Sequence, residues 1–509
     1  MATQLLSEKY AEDLYGVLHC YDRVIIKGHL QSLCYAKGMT AYLYAHQIRI
    51  FDYPQFAQAL RDEIRTHTEA LAQENRLQIE FIRSSKAFRK EDRIQQVLRE
   101  RGDHPGLVHI FAAMEPCRAY EPWHNKETGK TYVRERSGKC LHYYFYFNDA
   151  LLGLCYLRVA TWCPFEVQFY FNGHNWLAAQ LRQQDIAFVQ HDNAFHQIAD
   201  FARANQLAAQ LEGATLHAHL DALVQHYCPV VATLALPYQW SIFQAEYATD
   251  LVFKDPHTLQ AFYPTLLETL IQTVQPGDIA TFLGRKLHGN YQGELGTRYN
   301  HRWLGRRVKH QMGPVSLKLY DKFSIVLRIE TTVNNVTFFK QHRQVHHRDG
   351  TTTTQWAAMK KTLHSLGALQ ETLLAVNQRY LKFISAIATP EVGVAKLHRL
   401  TETQTEHDHR YKGFNLLAEE DSSVLRALAQ GEFVLAGFGN KDLRRQLPDK
   451  NSGQVSRLLK RLRVHGLLKK VGQRYRYYLT EFGRQVILMA LKLREMVIIP
   501  QLARDAPSA

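Results

Sequence analysis

Three short segments between Trp240 and Asn334 place acids, a phenol and cations at strand spacing. In Val315–Lys322, alternation puts Val315, Leu317 and Leu319 on one face, with Ser316, Lys318, Tyr320 and Lys322 on the other. After a turn near Asp321–Ser324, Ile325–Asn334 alternates in the same way and sets Arg328, Glu330 and Thr332 apart from Ile325, Leu327 and Ile329. The two segments predict a hairpin with Lys318, Tyr320, Arg328 and Glu330 on one side. A third strand, Trp240–Phe253, aligns Gln244, Glu246 and Asp250. If the polar faces coincide, Glu246, Asp250 and Glu330 repel one another unless a cation sits between them, and all-oxygen ligands favour Mg2+ or Mn2+. The phenolate of the tyrosine on this face, Tyr320, is then expected to attack a phosphodiester. Lys318 or Arg328 is expected to lower its pKa and hold the phosphate. Arg-Glu pairs across a hairpin are also ordinary surface features, so the clustering alone carries this expectation.

Between these strands runs a glycine-rich basic stretch with Arg285, Lys286, Arg298, Arg302, Arg306, Arg307 and Lys309, in which Glu294 is a rare acid. Such a segment suits a nucleic-acid backbone; a solvated loop is the alternative. At the C-terminal end, Asp421–Arg484 reads as a winged helix-turn-helix: helices Ser422–Gly431, Asn440–Leu447 and Gly453–Val464, then strands Leu467–Val471 and Arg474–Leu479 turning at Gly472-Gln473. In the third helix Val455, Leu458, Leu459 and Leu462 face inward. Gln454, Ser456, Arg457, Lys460, Arg461 and Arg463 are left for a groove, and Lys469, Lys470, Arg474 and Arg476 load the wing for phosphates.

The pieces Glu246-Tyr-Ala-Thr-Asp250, Phe282-Leu-Gly-Arg285, Ser316-Leu-Lys-Leu-Tyr320-Asp-Lys322 and Arg328-Ile-Glu330 resemble motifs of the replication-initiator family of rolling-circle plasmids and filamentous phages. The resemblance covers about a hundred residues and departs at Glu246, where the family has Asp. It also departs at the Phe282 stretch, which lacks the family's tyrosine and serine. It implies a nicking enzyme of a mobile element or replicon, with a tyrosine nucleophile (Tyr320 first, with Tyr291 and Tyr299 as alternates because of these departures), a carboxylate-held divalent metal and single-stranded DNA as substrate. The whole chain also resembles a widespread bacterial set labelled as MarR-type regulators. A non-enzymatic winged-helix regulator and a structured-RNA-binding partner of a mobile element are the competing readings.

The elements that must position these residues read as an α+β, multidomain chain with an antiparallel central sheet, flanking helices and the C-terminal winged helix. The expected divisions are 1–230, 231–400, a linker 401–415, and 416–509. In the first, helices are predicted at Pro54–Asn75, Lys90–Arg101 and Asn175–Arg182, with further helices across Asp185–Tyr227. Strands are predicted at Leu107–Met114, Leu141–Asn148, Leu154–Val159 and Glu166–Phe171, and a boundary at Gln225–Ala235. The run Tyr143–Phe147 reads as a buried strand or, alternatively, a platform for stacked bases. A polar loop is expected at Arg343–Gln355 and a helix at Ala357–Ala388. No internal repeat is visible.

The 509 residues carry a net charge of +15, which favours a polyanionic partner: DNA, single-stranded or duplex, or RNA. No run is long enough to span a bilayer, the N-terminus lacks a secretory core, and seven cysteines without a Cys-x-x-Cys pair fit a reducing cytoplasm without zinc. Val486–Ile499 reads as a packing or homodimerisation helix. His217-Ala-His219 mimics a metal motif but falls in a helical stretch. His342, His346 and His347 are expected at the edge of a loop.

Overall fold

The computed structural model describes residues 4–83, 88–102, 104–302, 305–388, 391–430, 433, 437–471 and 476–504. The fold is α+β and multidomain. The chain forms two compact units, 1–388 and 389–509.

The first unit is built on one sheet. Its strands are β1 (Leu14–Leu30), β2 (Ile79–Phe81), β3 (Gly106–His124), β4 (Thr131–Asp149), β5 (Gly153–Ala160), β6 (Val167–Asn172), β9 (Tyr238–Phe253), β10 (Leu295–Arg302), β11 (Gly305–Met312), β12 (Val315–Lys322) and β13 (Val326–Val333). Between β6 and β9 a separate hairpin forms from β7 (Phe188–His191) and β8 (Ala194–Ile198). The sheet order is β10-β11-β12-β13-β9-β1-β6-β5-β4-β3-β2. The sheet therefore contains the same path twice. A long strand is followed by helices and then a four-stranded antiparallel meander, whose last strand returns to pair with the first. β1 with β3–β6 is one copy, β9 with β10–β13 the other, and β1 and β9 lie antiparallel at the centre. The repeat is one of topology only. The pairing of β1 with β9 also means that the expected break near residue 230 does not divide the sheet.

One face of the sheet is buried beneath helices and forms a single apolar core. Helix Leu366–Ala388 is pinned there by Asn377, whose amide donates to Tyr247 O and Thr249 Oγ1, each at 3.1 Å, while its Oδ1 accepts from Thr331 Oγ1 at 2.6 Å. These bonds fix β9 against β13 and hold the strands that carry the acids in register. Helices Tyr53–Glu74, Lys90–Arg101 and Gly173–Gln183 fall where their periodicity predicts. Two readings change. Residues 185–227, expected as helix throughout, open with the β7–β8 hairpin before helices Phe201–Ala208 and Gly213–Tyr227. The loop expected at 343–355 is a hairpin, β14 (Lys340–His346) and β15 (Thr352–Ala358), and the following helix starts only at Leu366. The β14–β15 hairpin is polar and lacks the apolar alternation by which strands are recognised, while β7 and β8 are too short to show it clearly.

The second unit contains a hairpin of β16 (Gln404–Glu406) and β17 (His409–Tyr411), inside the expected linker. The winged fold follows, with helices Glu419–Leu428, Asn440–Gln446 and Ser452–Val464, then β18 (Leu468–Lys470) and β19 (Tyr477–Leu479). Phe438 makes a single β-bridge to Tyr477 beside this hairpin. Val455, Leu458, Leu459 and Leu462 lie in its core, as the helical spacing requires.

A candidate metal centre on the polar sheet face

The polar faces of β9, β12 and β13 coincide. Registers place Lys318 opposite Glu330, Tyr320 opposite Arg328, Arg328 opposite Asp250, and Thr332 opposite Glu246. The Tyr320 hydroxyl donates to Glu330 Oε2 at 2.5 Å. The Lys318 ammonium donates to Glu330 Oε1 and, at 3.3 Å, to Glu246 Oε1, which also accepts from Thr332 Oγ1 at 3.1 Å.

A third carboxylate comes from β1. Tyr21 pairs with Tyr247 and Val24 with Ala245, so Asp22 and Arg23 together oppose the single residue Glu246. This is a β-bulge, and it turns Asp22 out of the strand's apolar alternation toward the acids. One oxygen each from Asp22, Glu246 and Glu330 lies within 4.8 Å of the others. This buried acidic triad has the donors and spacing to bind a metal ion.

Beside the triad, on the same face of the sheet, lies a second, fully buried layer. Arg328 is fully buried and grips Asp250 through two bonds, Nε to Oδ1 at 2.7 Å and Nη2 to Oδ2 at 2.6 Å. Its Nη1 reaches Asp22 Oδ2 at 3.4 Å, and Nη2 donates to Asn193 O at 2.6 Å. His174 sits between the aspartates, 3.3 Å from Asp22 and 3.5 Å from Asp250. Asn172 and Asn193 donate to Asp22 Oδ1 at 2.8 and 2.7 Å. His174 reaches this place because the helix starting at Gly173 abuts β1: a Cβ at Gly173 would stand 2.2 Å from Tyr21 O.

Charge follows this layering. Burial disfavours the Asp250 carboxylate, but Arg328 and His174 hold its pKa down to about 2. Asp22 is likewise held far below the usual carboxylate range: hydrogen bonding to His174 and the charge of Arg328 outweigh its burial. Glu246 moves the other way, raised by burial and by the neighbouring Glu330 charge that Lys318 only partly compensates. The Lys318 ammonium is favoured by Glu330 and Glu246 despite burial. The Tyr320 phenol is raised well above its ordinary value, first by burial and then by Glu330. This reverses the expectation that Lys318 or Arg328 lowers it. Lys318 is engaged by the two glutamates, and the effect of Arg328 is outweighed.

The predicted set thus divides. Glu246, Glu330, Lys318 and Tyr320 converge, whereas both oxygens of Asp250 are taken by Arg328, and Asp22 stands in the acidic triad instead. Tyr299 pairs with Val308, a core residue, and so belongs to the opposite face. Tyr291 packs against the core with its hydroxyl 3.4 Å from Glu294 O. Among the basic residues, Lys309 pairs with Lys318 and Arg298 with Lys309, and Arg307 pairs with Tyr320, making a cationic strip beside the acids. Arg298 is bonded to Glu294. Arg306 alternates to the other face, Arg285 stacks on Phe338 at 4.0 Å, and Lys286 is exposed. The side chain of Arg302 lies outside the described residues.

In the winged unit, the helix expected to read a groove is partly occupied by its own chain. Glu406, in the β16–β17 hairpin, pairs with Lys460 and, at 2.9 Å, with Arg463. Arg461 donates to Asp421 at 2.9 Å and to Gly413 O at 2.6 Å. Gln454 caps its own helix at Asn451, and Ser456 accepts from Asn440 at 2.8 Å. Arg457 is exposed, as are Lys469, Lys470 and Arg476; Arg474 and the Gly472-Gln473 turn lie outside the described residues. Beyond the wing, helix Glu481–Lys492 exposes Leu488 and Met489.

His217 and His219 are indeed helical and bonded to Asp221 and Asp149. His342, His346 and His347 are exposed on and just after β14. No described helix is long and apolar enough to cross a membrane.

Asp22, Asn172, His174 and Asn193 were missed by alternation and motif alike. One signal was available: the adjacent Asp22-Arg23 pair interrupts the otherwise apolar run from Cys20 to Ile26. No protein-family model, curated protein or solved structure matches the chain.

Proposed function

We propose that the chain is a metal-dependent endonuclease that nicks single-stranded DNA through a covalent tyrosyl-phosphate, while its winged helix binds duplex DNA. The observation that carries this reading is the triad of Asp22, Glu246 and Glu330 within 4.8 Å, with Tyr320 bonded to Glu330. The oxygen donors suit Mg2+ or Mn2+, which would stabilise the charge that builds on the phosphoryl group. Tyr320 Oη attacks phosphorus as its proton passes to Glu330. The bond to the departing sugar oxygen breaks, and that oxygen takes a proton from Lys318. The raised phenol pKa makes the adjacent Glu330 acceptor necessary, because little phenolate exists beforehand.

The test is incubation with Mn2+ and end-labelled single-stranded DNA over a mixed-sequence pool. A denaturant-stable protein–DNA adduct that is lost in Tyr320→Phe and in Glu330→Ala supports the reading. Absence of both nick and adduct, or activity undiminished in those variants, sinks it. A second reading rests on the Lys318 ammonium, which already bridges two of the acids: the cluster is then an ion-pair lattice inside a non-enzymatic DNA-binding regulator. Calorimetry with Mn2+ separates the two, since a lattice gives no binding heat.

A further inference from the structure

The acids occupy only one end of the open face. Registers carry the same face on through Gln244, Ile25, Tyr170, Tyr156 and Tyr146, from β9 across to β4. Here the chemistry changes from carboxylate to aromatic. Tyr156 and Tyr170 stack with ring centroids 5.0 Å apart and planes 15° apart, and Tyr146 lies 5.0 Å from Tyr156. The Arg23 guanidinium sits over Tyr170 at 5.7 Å and reaches within 3.9 Å of Glu246. Tyr144 and Tyr146 are buried with Phe111 and Ile94 of helix Lys90–Arg101. That helix stops short of β5 and β6, which leaves Tyr156 and Tyr170 half-buried at the floor of a cavity of about 660 Å³.

One wall is the helix, with Glu91, Asp92, Gln95 and Arg99; the other is the β7–β8 turn, with Asp192 and Asn193. Asn193 and Asn172 line the cavity and also bond to Asp22, so the cavity opens beside the acidic triad. Its ligand chemistry follows from its lining. Three carboxylates face two guanidiniums, which repels a phosphate. Amides, carboxylates and a tyrosine floor instead suit a flat, neutral, hydrogen-bonding ring, and the volume accommodates one or two such groups. By contrast, a neighbouring cavity of about 500 Å³ on the same face has Lys27, Arg118, Arg136 and Arg158 against Glu135 and Glu166, a net cationic lining suited to backbone phosphates.

Resting on the nuclease reading above, we infer that the Tyr156–Tyr170 cavity takes an unstacked nucleobase of the single strand, next to the phosphate held at the acids. The site is then a reader of local sequence as well as a cutter. It is a pocket for the base, separate from the metal-binding carboxylates.

The test uses the full-length chain carrying Tyr320→Phe, which leaves the strand uncut, and single-stranded 12-mers with 5-iodouracil at successive positions. After irradiation, cross-linked peptides are identified by mass. The inference expects cross-links in the peptides holding Tyr156 or Tyr170. It also expects them to fall at least about tenfold with Tyr156→Ala, the loss of one base–aromatic stack, and to vanish for an abasic nucleotide at that position. Gln95→Trp, on an exposed helix face, blocks the cavity without touching the core and should give the same loss if Tyr156→Ala fails to fold. Cross-links found only in the wing, or unchanged in both variants, overturn the inference. Base-dependent cross-linking here without any nick by the unmodified chain would remove the nuclease reading and leave this pocket standing.

Discussion

The two halves of the large sheet share one path and carry different chemistry. The half built from β9–β13 presents Glu246, Glu330, Lys318 and Tyr320. The half built from β1 and β3–β6 presents Tyr156, Tyr170 and Arg158, and gives the acidic centre only Asp22. The core beneath both is apolar and continuous. The other face is covered only in part, by helix Lys90–Arg101 over Tyr144 and Tyr146 and by the β7–β8 hairpin over Val252 and Val326, and its uncovered positions are free to diverge. Under the proposed function, bond-breaking would belong to one half and substrate contact to the other.

The sharpest way to break that division is Tyr320→Phe. Removal of the nucleophile should lower adduct formation by about a thousandfold or more. Adduct yield that persists and maps to a tyrosine of β5 or β6 would reverse the roles of the halves. Next in size is Arg328→Met, which strands the fully buried Asp250 without its partner. Breaking such a pair costs about 3–5 kcal/mol, so a large fall in the urea midpoint is expected. A loss below about 1 kcal/mol would mean the buried Arg328–Asp250 cluster does not hold the halves together.

Asp22→Asn tests whether the aromatic half truly supplies a ligand: its loss of Mn2+ affinity by calorimetry should match that of Glu246→Gln. His174→Asn removes a group that touches Asp22 without belonging to the triad, and should weaken Mn2+ by about 10–100-fold while the circular dichroism spectrum stays unchanged. The smallest effect is expected in the winged unit. Arg457→Ala should reduce the salt slope of duplex binding by about one, and Lys460→Ala by less, because Lys460 is paired with Glu406. Glu406→Ala should then raise duplex affinity; a fall would show that the β16–β17 hairpin is part of the DNA-binding surface.

How far the sequence revealed these features depends on the distance over which each is determined. Lys318, Tyr320 and Glu330 share a regular hairpin, so period-two alternation alone placed them on one face. The inward face of helix Ser452–Val464 was equally legible, since Val455 to Leu462 follow the helical period. Asp22 was not, because a bulge breaks the alternation and its partner strand lies more than two hundred residues away. Arg328 and Asp250 were put on the right face and given the wrong employment: alternation gives direction but not depth, and both groups are fully buried against each other. Lys460 and Arg463 were credited to a groove because the hairpin that covers them lies in a polar stretch that reads as linker.

The bulge at Asp22-Arg23 makes chain length there matter more than composition. Deleting a single residue between Tyr21 and Val24 would restore an even pleat and keep every later β1–β9 pair, but would leave one side chain opposite Glu246 where there are now two. A relative one residue shorter at this point should therefore keep the β1–β9 pairing and lose either the Asp22 carboxylate or the Arg23 guanidinium from the site.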